Sequence, residues 1–228
     1  MGKASREPGR IDEATARALL AATGRRMIES GLVTGTAGNL SLRTGPDSVA
    51  ITPTSIAYDT IEPGDICLMS VADDSQLDGP HVPSSEWPMH RAIYRSSEAE
   101  AIVHTHSFNA TAVSAIVEEL PAIHYYILRL GGDSVRVAPF RPFGSQELAD
   151  TVAEALTDRN TALLQNHGAI SYGPTLEEAY ERATLLEWLS TVYLRARSAG
   201  VEPRALSAGE LDGVRAQAQR HRARIAQS

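Results

Sequence analysis

Ala101-Ile102-Val103-His104-Thr105-His106 is the stretch from which the rest of the chain is best read. Three apolar residues followed by His-x-His describe the end of a buried strand that delivers two imidazoles to one place. Residues two apart in an extended chain point to the same side. His104 and His106 therefore aim together, and Thr105 faces away. A catalytic metal site needs a third protein ligand and an open position. A second apolar run, Ala162-Leu163-Leu164-Gln165-Asn166-His167-Gly168, also breaks at a histidine, which makes His167 the candidate third ligand. Upstream, Pro83-Ser84-Ser85-Glu86-Trp87 supplies a carboxylate, Glu86. Three imidazoles suit Zn2+, and an acid beside them points to a metal-assisted enzyme. His-x-His is a short motif that recurs by accident in a chain with seven histidines. Two apolar runs that each end in histidine are what add weight to it.

Outward from that stretch, 228 residues suffice for one large domain or at most two small ones, with a sizeable core. An apolar content of 43% and a charged content of 21% are those of an ordinary globular protein. A net charge of −7 argues against nucleic acid or an anionic membrane as partner. The single cysteine, Cys67, excludes an internal disulfide and lies in a strand-like run, as a structural thiol does. No apolar run approaches a membrane span and the N-terminus shows no signal-peptide core, so a cytoplasmic location is expected.

Residues 1–10 are polar, with Gly2, Pro8 and Gly9, and are expected to be a disordered tail. Residues 11–228 are expected to form a single domain. A helix is predicted from Ile11 to Ser30, with Asp12 as N-cap, Ala16, Leu19, Leu20, Met27 and Ile28 on its apolar side, and Gly31 as its stop. A hairpin of Leu40–Arg43 with Ser48–Thr52 follows, then a second hairpin or a meander over Ile66–Leu77. Further helices are predicted over Ser85–Tyr94, Asn109–Val117 and Ser145–Leu156, with a buried strand at Thr161–Gln165. Residues 122–140 are expected to hold two short extended pieces around Gly131-Gly132. Thr175-x-x-Glu178 caps a long helix running to Ser198, and Ser207-x-x-Glu210 caps a last one. Strands interleaved with hairpins and helices predict a layered α/β fold, its sheet mixed or mainly antiparallel and covered by helices on both faces.

Gly35-Thr36-Ala37-Gly38-Asn39 offers close backbone approach and free amides, which can cradle an anion or can be a bare tight turn. Two hydroxyl clusters favour the anion: Thr52-Pro53-Thr54-Ser55, and Ser84-Ser85 at the start of a helix. The phosphate would be held by neutral donors, with the helix dipole supplying the electrostatics.

The ordered motifs Gly-Thr-Ala-Gly-Asn-Leu-Ser, Thr-Pro-Thr-Ser, Pro-Ser-Ser-Glu-Trp, Val-His-Thr-His, Ala-Ile-His-Tyr and Leu-Leu-Gln-Asn-His-Gly resemble the class II (zinc-dependent) aldolase/adducin family over about 14–225. Within it they are most similar to the aldolases that act on L-fuculose 1-phosphate. The resemblance implies a three-layer α/β/α domain with a mostly antiparallel central sheet, and a homotetramer with active sites between subunits. Carried over by position, His104, His106 and His167 hold Zn2+, or Mn2+ or Co2+ in its place, and Glu86 is the acid/base and a possible fourth ligand when substrate is absent. Tyr125 matches the tyrosine that protonates the aldehyde oxygen. Gly38, Asn39, Thr54, Ser55, Ser84 and Ser85 surround the substrate phosphate. His90 and His124 are expected in structural or supporting roles.

Two positions depart from the family pattern. Ser55 stands where the family aldolases carry glycine after Thr-Pro-Thr, and His221 stands at the place of a tail tyrosine. Residues 207–228 are accordingly expected to form a helix near the aldehyde end of the site. The implied reaction is reversible cleavage of a ketose 1-phosphate to dihydroxyacetone phosphate and a small aldehyde such as L-lactaldehyde. Alternatives on the same scaffold are an aldolase for 5-deoxyribulose or 5-methylthioribulose 1-phosphate, and an epimerase, dehydratase or decarboxylase. A non-enzymatic adducin-like module has no need of His104, His106, His167 and Glu86 together.

Overall fold

The computed structural model describes residues 11–225; the tail expected over residues 1–10 lies outside them. The elements run α1 (Glu13–Glu29), β1 (Asn39–Arg43), β2 (Ser48–Ile51), β3 (Cys67–Ser70), β4 (Gln76–Asp78), α2 (Trp87–Ser96), β5 (Ala101–Thr105) and α3 (Phe108–Ser114). They continue with β6 (Glu119–Leu120), a 3-10 helical turn (Tyr125–Leu130), β7 (Val135–Ala138), α4 (Gln146–Ala155), β8 (Thr161–Leu164), β9 (Gly168–Gly173), α5 (Leu176–Arg197) and α6 (Ala208–Ile225). Among the described residues, nine strands form one sheet in the order β4-β3-β2-β1-β5-β9-β8-β7-β6. Only β7 and β8 pair in parallel.

Alternation along the strands makes the layers. In β5, Ile102 joins Met89 and Ile93 of α2 and Leu148 and Val152 of α4 on one face. Its neighbours Ala101 and Val103 join Leu20 and Met27 of α1 and Ala179 and Ala183 of α5 on the other. A third cluster gathers α3, the later half of α5 and the 3-10 turn around Leu163 and Ala169. The result is the three-layer α/β/α architecture with a mostly antiparallel sheet.

Most helix ends follow their caps. Asp12 accepts from the Thr15 amide at 3.0 Å, and Ser145 and Thr175 each accept at 3.1 Å from the amide three residues on. Ser207 and Glu210 form a reciprocal box: the Ser207 amide donates to the Glu210 carboxylate at 2.8 Å, and the Glu210 amide to the Ser207 hydroxyl at 3.3 Å. α2 starts two residues later than expected, with Glu86 at its N-cap and Pro88 in its first turn, where the missing N–H costs nothing. In α1 the buried stripe is rotated, and Leu19 is exposed. Gly24 explains this, because the Tyr58 ring packs where a Cβ would stand and draws that side of the helix inward.

Two expectations are corrected. The first extended piece of residues 122–140 is the 3-10 turn, whose buried residues Ile127 and Leu130 recur at the three-residue spacing of that helix. The structure also has a strand, β9, that the sequence reading does not contain; it pairs with both β5 and β8.

Candidate active site

The parity that sends Ile102 under α2 carries His104 to the same side, where the N-terminus of α2 stands over it. Glu86 makes no capping hydrogen bond with its side chain, which turns to the histidines instead. Its Oε2 lies 2.9 Å from His104 Nε2, and its Oε1 lies 3.2 Å from His167 Nε2. His106 follows the end of β5, and its Nε2 is 2.9 Å from that of His104. His167 sits in the three-residue loop between β8 and β9, whose ends are closed by the Leu164–Gly168 pair. Asn166 takes the left-handed conformation of that loop at φ 55°. Gly168 lets β9 start directly against β5, since an added Cβ would collide with the Thr105 carbonyl. The three imidazoles meet edge to face with ring centroids 4.8, 4.9 and 4.8 Å apart.

One ligand atom from each of Glu86, His104, His106 and His167 lies within 4.8 Å of the others. His104 Nδ1 faces the Ala169 carbonyl at 2.9 Å and must donate to it, so its Nε2 is the lone-pair nitrogen. That lone pair faces a second imidazole nitrogen, while Glu86 Oε1 is buried without a hydrogen-bond partner. Converging lone pairs beside an orphaned carboxylate oxygen fit a divalent cation, which satisfies all of them at once. Burial opposes ionisation of Glu86, but the ring nitrogens of His104 and His167 that face it outweigh burial and hold the carboxyl well below its usual range. Burial and the neighbouring imidazoles push His106 down to about 3, so its ring is neutral at ordinary pH.

His106 and His167 line a cleft of about 550 Å³, and His104 lies buried against them. Gly38 and Asn39, Thr54 and Ser55, and Ser84 and Ser85 line it, together with Glu86, His106 and His167. The three polar segments expected to hold a phosphate thus line one cleft. Gly38 has φ 75°, and Tyr58 donates its hydroxyl to the Gly38 carbonyl at 2.8 Å, fixing the turn from behind. Ser55 is also left-handed, at φ 61°. Asn39 reaches the cleft, but its amide is engaged by Glu86 at 2.9 Å and by His90 at 2.5 Å. The sequence reading missed a further lining segment, Phe140 to Phe143, with both phenylalanines exposed. Its signal is Pro139-Phe140-Arg141-Pro142-Phe143-Gly144, two aromatics in a proline-rich loop where no core is being built.

The family profile of the class II aldolase and adducin N-terminal domain matches residues 18–194. The chain belongs to this family. As a class II aldolase it is a lyase, and the Glu/His cluster fits the metal dependence general to the family. Similar proteins include the L-fuculose phosphate aldolase of Escherichia coli, 41% identical over 74% of this chain and 77% of that one. The 5-deoxy-D-ribulose 1-phosphate aldolase of Bacillus thuringiensis serovar kurstaki is 36% identical over 86% of this chain and 91% of that one. The solved structure of an L-fuculose 1-phosphate aldolase superposes with a TM-score of 0.82 at 34% identity, covering 86% of this chain and 92% of that one.

Two expected residues of the aldolase site are not in this chain's own cleft. Tyr125 opens the 3-10 turn, half-exposed, with its ring stacked on His124 at 4.5 Å beside Tyr126 and Trp188. His221 is exposed on α6. That helix is tied down elsewhere: Leu211 is buried in the third cluster, the Leu206 amide donates to the Ala122 carbonyl at 2.8 Å, and Arg215 pairs with Asp133. Among the described residues of one chain, α6 is anchored against the third cluster and is not among the residues that line the cleft. Tyr125 lies within the segment from Ala122 to Asp133, and the described part of the tail packs against the same segment.

Proposed function

We propose that this aldolase is Zn2+-dependent and reversibly splits a ketose 1-phosphate of the L-fuculose 1-phosphate type into dihydroxyacetone phosphate and a short aldehyde such as L-lactaldehyde. Mn2+ and Co2+ are the alternative ions for this donor set. The observation that carries the reading is the place of Glu86, which adjoins three imidazoles on one side and follows directly on Ser84-Ser85 of the neutral donor wall on the other. A donor phosphate on that wall puts the rest of the molecule between the carboxylate and the histidines.

His104, His106 and His167 would hold the ion, which supplies Lewis-acid stabilisation of the charge that develops on the donor half. In the synthetic direction Glu86 takes a proton from the hydroxymethyl carbon of dihydroxyacetone phosphate. Gly38, Thr54, Ser55, Ser84 and Ser85 bind the phosphate, and Asn39 contributes to the same wall. The new carbon–carbon bond leaves charge on the former aldehyde oxygen, and Tyr125 protonates it. Tyr125 and the tail with His221 reach the cleft from a neighbouring subunit of a homotetramer. What supports this is their shared position, exposed and away from the chain's own cleft. Residues 11–228 then act as one catalytic domain, in the cytoplasm.

A second reading is supported by the Bacillus relative, whose match extends over more of this chain than the Escherichia coli one. Its substrate, 5-deoxyribulose 1-phosphate, changes only the aldehyde, to acetaldehyde.

The test uses metal-loaded enzyme and Glu86→Gln. Deuterium exchange from solvent into dihydroxyacetone phosphate, followed by NMR, should fall by about 10²–10⁴-fold in the variant while metal and phosphate binding persist. Undiminished exchange would give the base role to another group. Cleavage of both ketose 1-phosphates by the unaltered enzyme ranks the two substrates.

A further inference from the structure

Glu86, His90 and Tyr94 recur every four residues from the start of α2, and Asn39, Ser41 and Arg43 recur every two along β1. The two spacings nearly match, since four helical residues advance about 6 Å and two strand residues about 6.6 Å. The rows interlock. Asn39 Nδ2 donates to Glu86 Oε2 at 2.9 Å, and His90 Nε2 lies 2.5 Å from Asn39 Oδ1. Ser41 Oγ lies 2.6 Å from His90 Nδ1 and 2.8 Å from the Tyr94 hydroxyl. The Arg43 guanidinium closes the row, 4.8 Å from the centre of the Tyr94 ring. Ser41 and His90 are fully buried, and Asn39 and Tyr94 are each 4% exposed.

The direction of every bond follows from the first. A carboxylate only accepts, so the Asn39 nitrogen faces Glu86 and its oxygen faces His90. His90 Nε2 must then carry a proton. The ring is buried and touches no carboxylate; burial and the nearby His104 push it down to about 3, so it is neutral. Its Nδ1 is therefore bare and accepts from Ser41, whose oxygen accepts from Tyr94. Asn39 is, among the described residues, the one hydrogen-bond donor to Glu86 from outside the histidine cluster. A reversed amide would present oxygen to the carboxylate, and the His90 N–H is what prevents the reversal.

We propose that Tyr94, Ser41, His90 and Asn39 form a one-way chain of donors that orients the Glu86 carboxylate, with His90 a positioning residue locked as the Nε2–H tautomer. The inference rests on Glu86 being the base of the proposed aldolase reaction. His90 itself touches no reacting atom; it acts by holding Asn39.

Two measurements on the full-length, metal-loaded protein test it. Long-range proton–nitrogen correlation with 15N-histidine should show His90 with Nε2 protonated and Nδ1 bare, its signals assigned by their absence from His90→Gln. An Nδ1–H ring or a doubly protonated one overturns the proposal, and this result needs no substrate. In deuterium exchange into dihydroxyacetone phosphate, His90→Leu should lose about 10- to 100-fold in kcat, as loss of an outer hydrogen-bonding partner does, with metal content retained. Its KM should change by less than about threefold, and His90→Gln, which can keep an N–H toward Asn39, should recover kcat to within about threefold. Equal loss in both variants, or a loss confined to KM, overturns the positioning role. If His90→Leu does not fold, the unaltered protein's spectrum still decides. Absence of exchange in the unaltered enzyme refutes the aldolase reading instead, and the tautomer then stands or falls on the spectrum alone.

Discussion

Gly38 lies against the backbone of His104: a Cβ added at Gly38 would stand 2.6 Å from the His104 carbonyl oxygen and 2.7 Å from Val33 Cγ1. The contact arises because Asn39 and His104 are partners across the β1–β5 ladder, so the turn before β1 crosses the strand end that carries the ligand. The Gly38 turn that lines the cleft and the strand end that carries the histidine cluster thus share one backbone contact.

Gly38→Ala must accommodate both that collision and a left-handed backbone. The conformation costs about 1–2 kcal/mol and the overpacking about 1–3 kcal/mol. Thermal melts should show the variant destabilised by about 5–15 °C, and elemental analysis should find less than one metal per chain. Unchanged melting with full metal content would show that the turn and the strand end are independent.

The convergence of Glu86, His104, His106 and His167 was legible because these residues obey local rules. His104 and His106 share a strand face, and His167 ends an apolar run. The helix caps at Asp12, Thr175 and Ser207 were equally local. What escaped was set by packing. Residues 168–173 are bounded by Gly168 and Gly173, a loop-like composition, and become β9 because β5 and β8 offer two open edges. Asn166 before His167-Gly168 was the available sign of a hairpin loop, since asparagine tolerates the left-handed turn. His90 was visible one turn after Glu86. Its tie to Asn39 and Ser41 needs the knowledge that α2 lies over β1, which no spacing within either segment contains. Tyr125 and His221 can be aligned with the family, but a single chain does not bring them to the cleft.

Removing the metal should loosen the fold as well as stop turnover. A ligand that binds only the folded state stabilises it by about 2.7 kcal/mol at one hundred times its Kd. Treatment with a chelator should lower the melting temperature by about 5–10 °C, and returning Zn2+ should restore it. His104→Ala and His167→Ala should melt alike with and without the ion. A metal-dependent shift that survives in both variants would place the binding site elsewhere.

Ser55 carries a side chain at φ 61°, where glycine is favoured, and it lines the cleft. Ser55→Gly removes about 1–2 kcal/mol of backbone strain and costs about 0.5–1 kcal/mol in unfolded-chain entropy, so a rise of about 1–3 °C in melting temperature is expected. If the hydroxyl binds the phosphate, KM for the donor rises about tenfold, the effect of losing one hydrogen bond to a charged group. Higher stability with unchanged KM would leave Ser55 outside the phosphate site; lower stability would show that its side chain is held by contacts that outweigh the strain.

The last prediction separates the two halves of the substrate. Leu211 is the buried residue of α6, and beyond Arg215 the described part of the helix lies mostly in solvent. Ending the chain after Arg215 keeps the Leu211 anchor and the ion pair with Asp133, yet removes His221. Exposed helical residues add little to the core, so the truncated protein should melt within a few degrees of the full chain, a change of about 1 kcal/mol or less. In the proposed reaction donor activation depends on His104, His106, His167 and Glu86, whereas the described part of α6 is anchored at Leu211 and at Asp133. Deuterium exchange into dihydroxyacetone phosphate should therefore stay within about twofold, while condensation with L-lactaldehyde or acetaldehyde falls at least about tenfold, or about 1.4 kcal/mol of transition-state stabilisation. Mixing the truncated protein with an excess of Glu86→Gln subunits tests where the tail acts. If the tail closes a neighbour's cleft, hybrid assemblies regain condensation, because intact tails from the inactive subunits complete the active clefts. Equal loss of exchange and condensation in the truncated protein, or no recovery in hybrids shown to form, would contradict the assignment of the acceptor side to a neighbouring subunit.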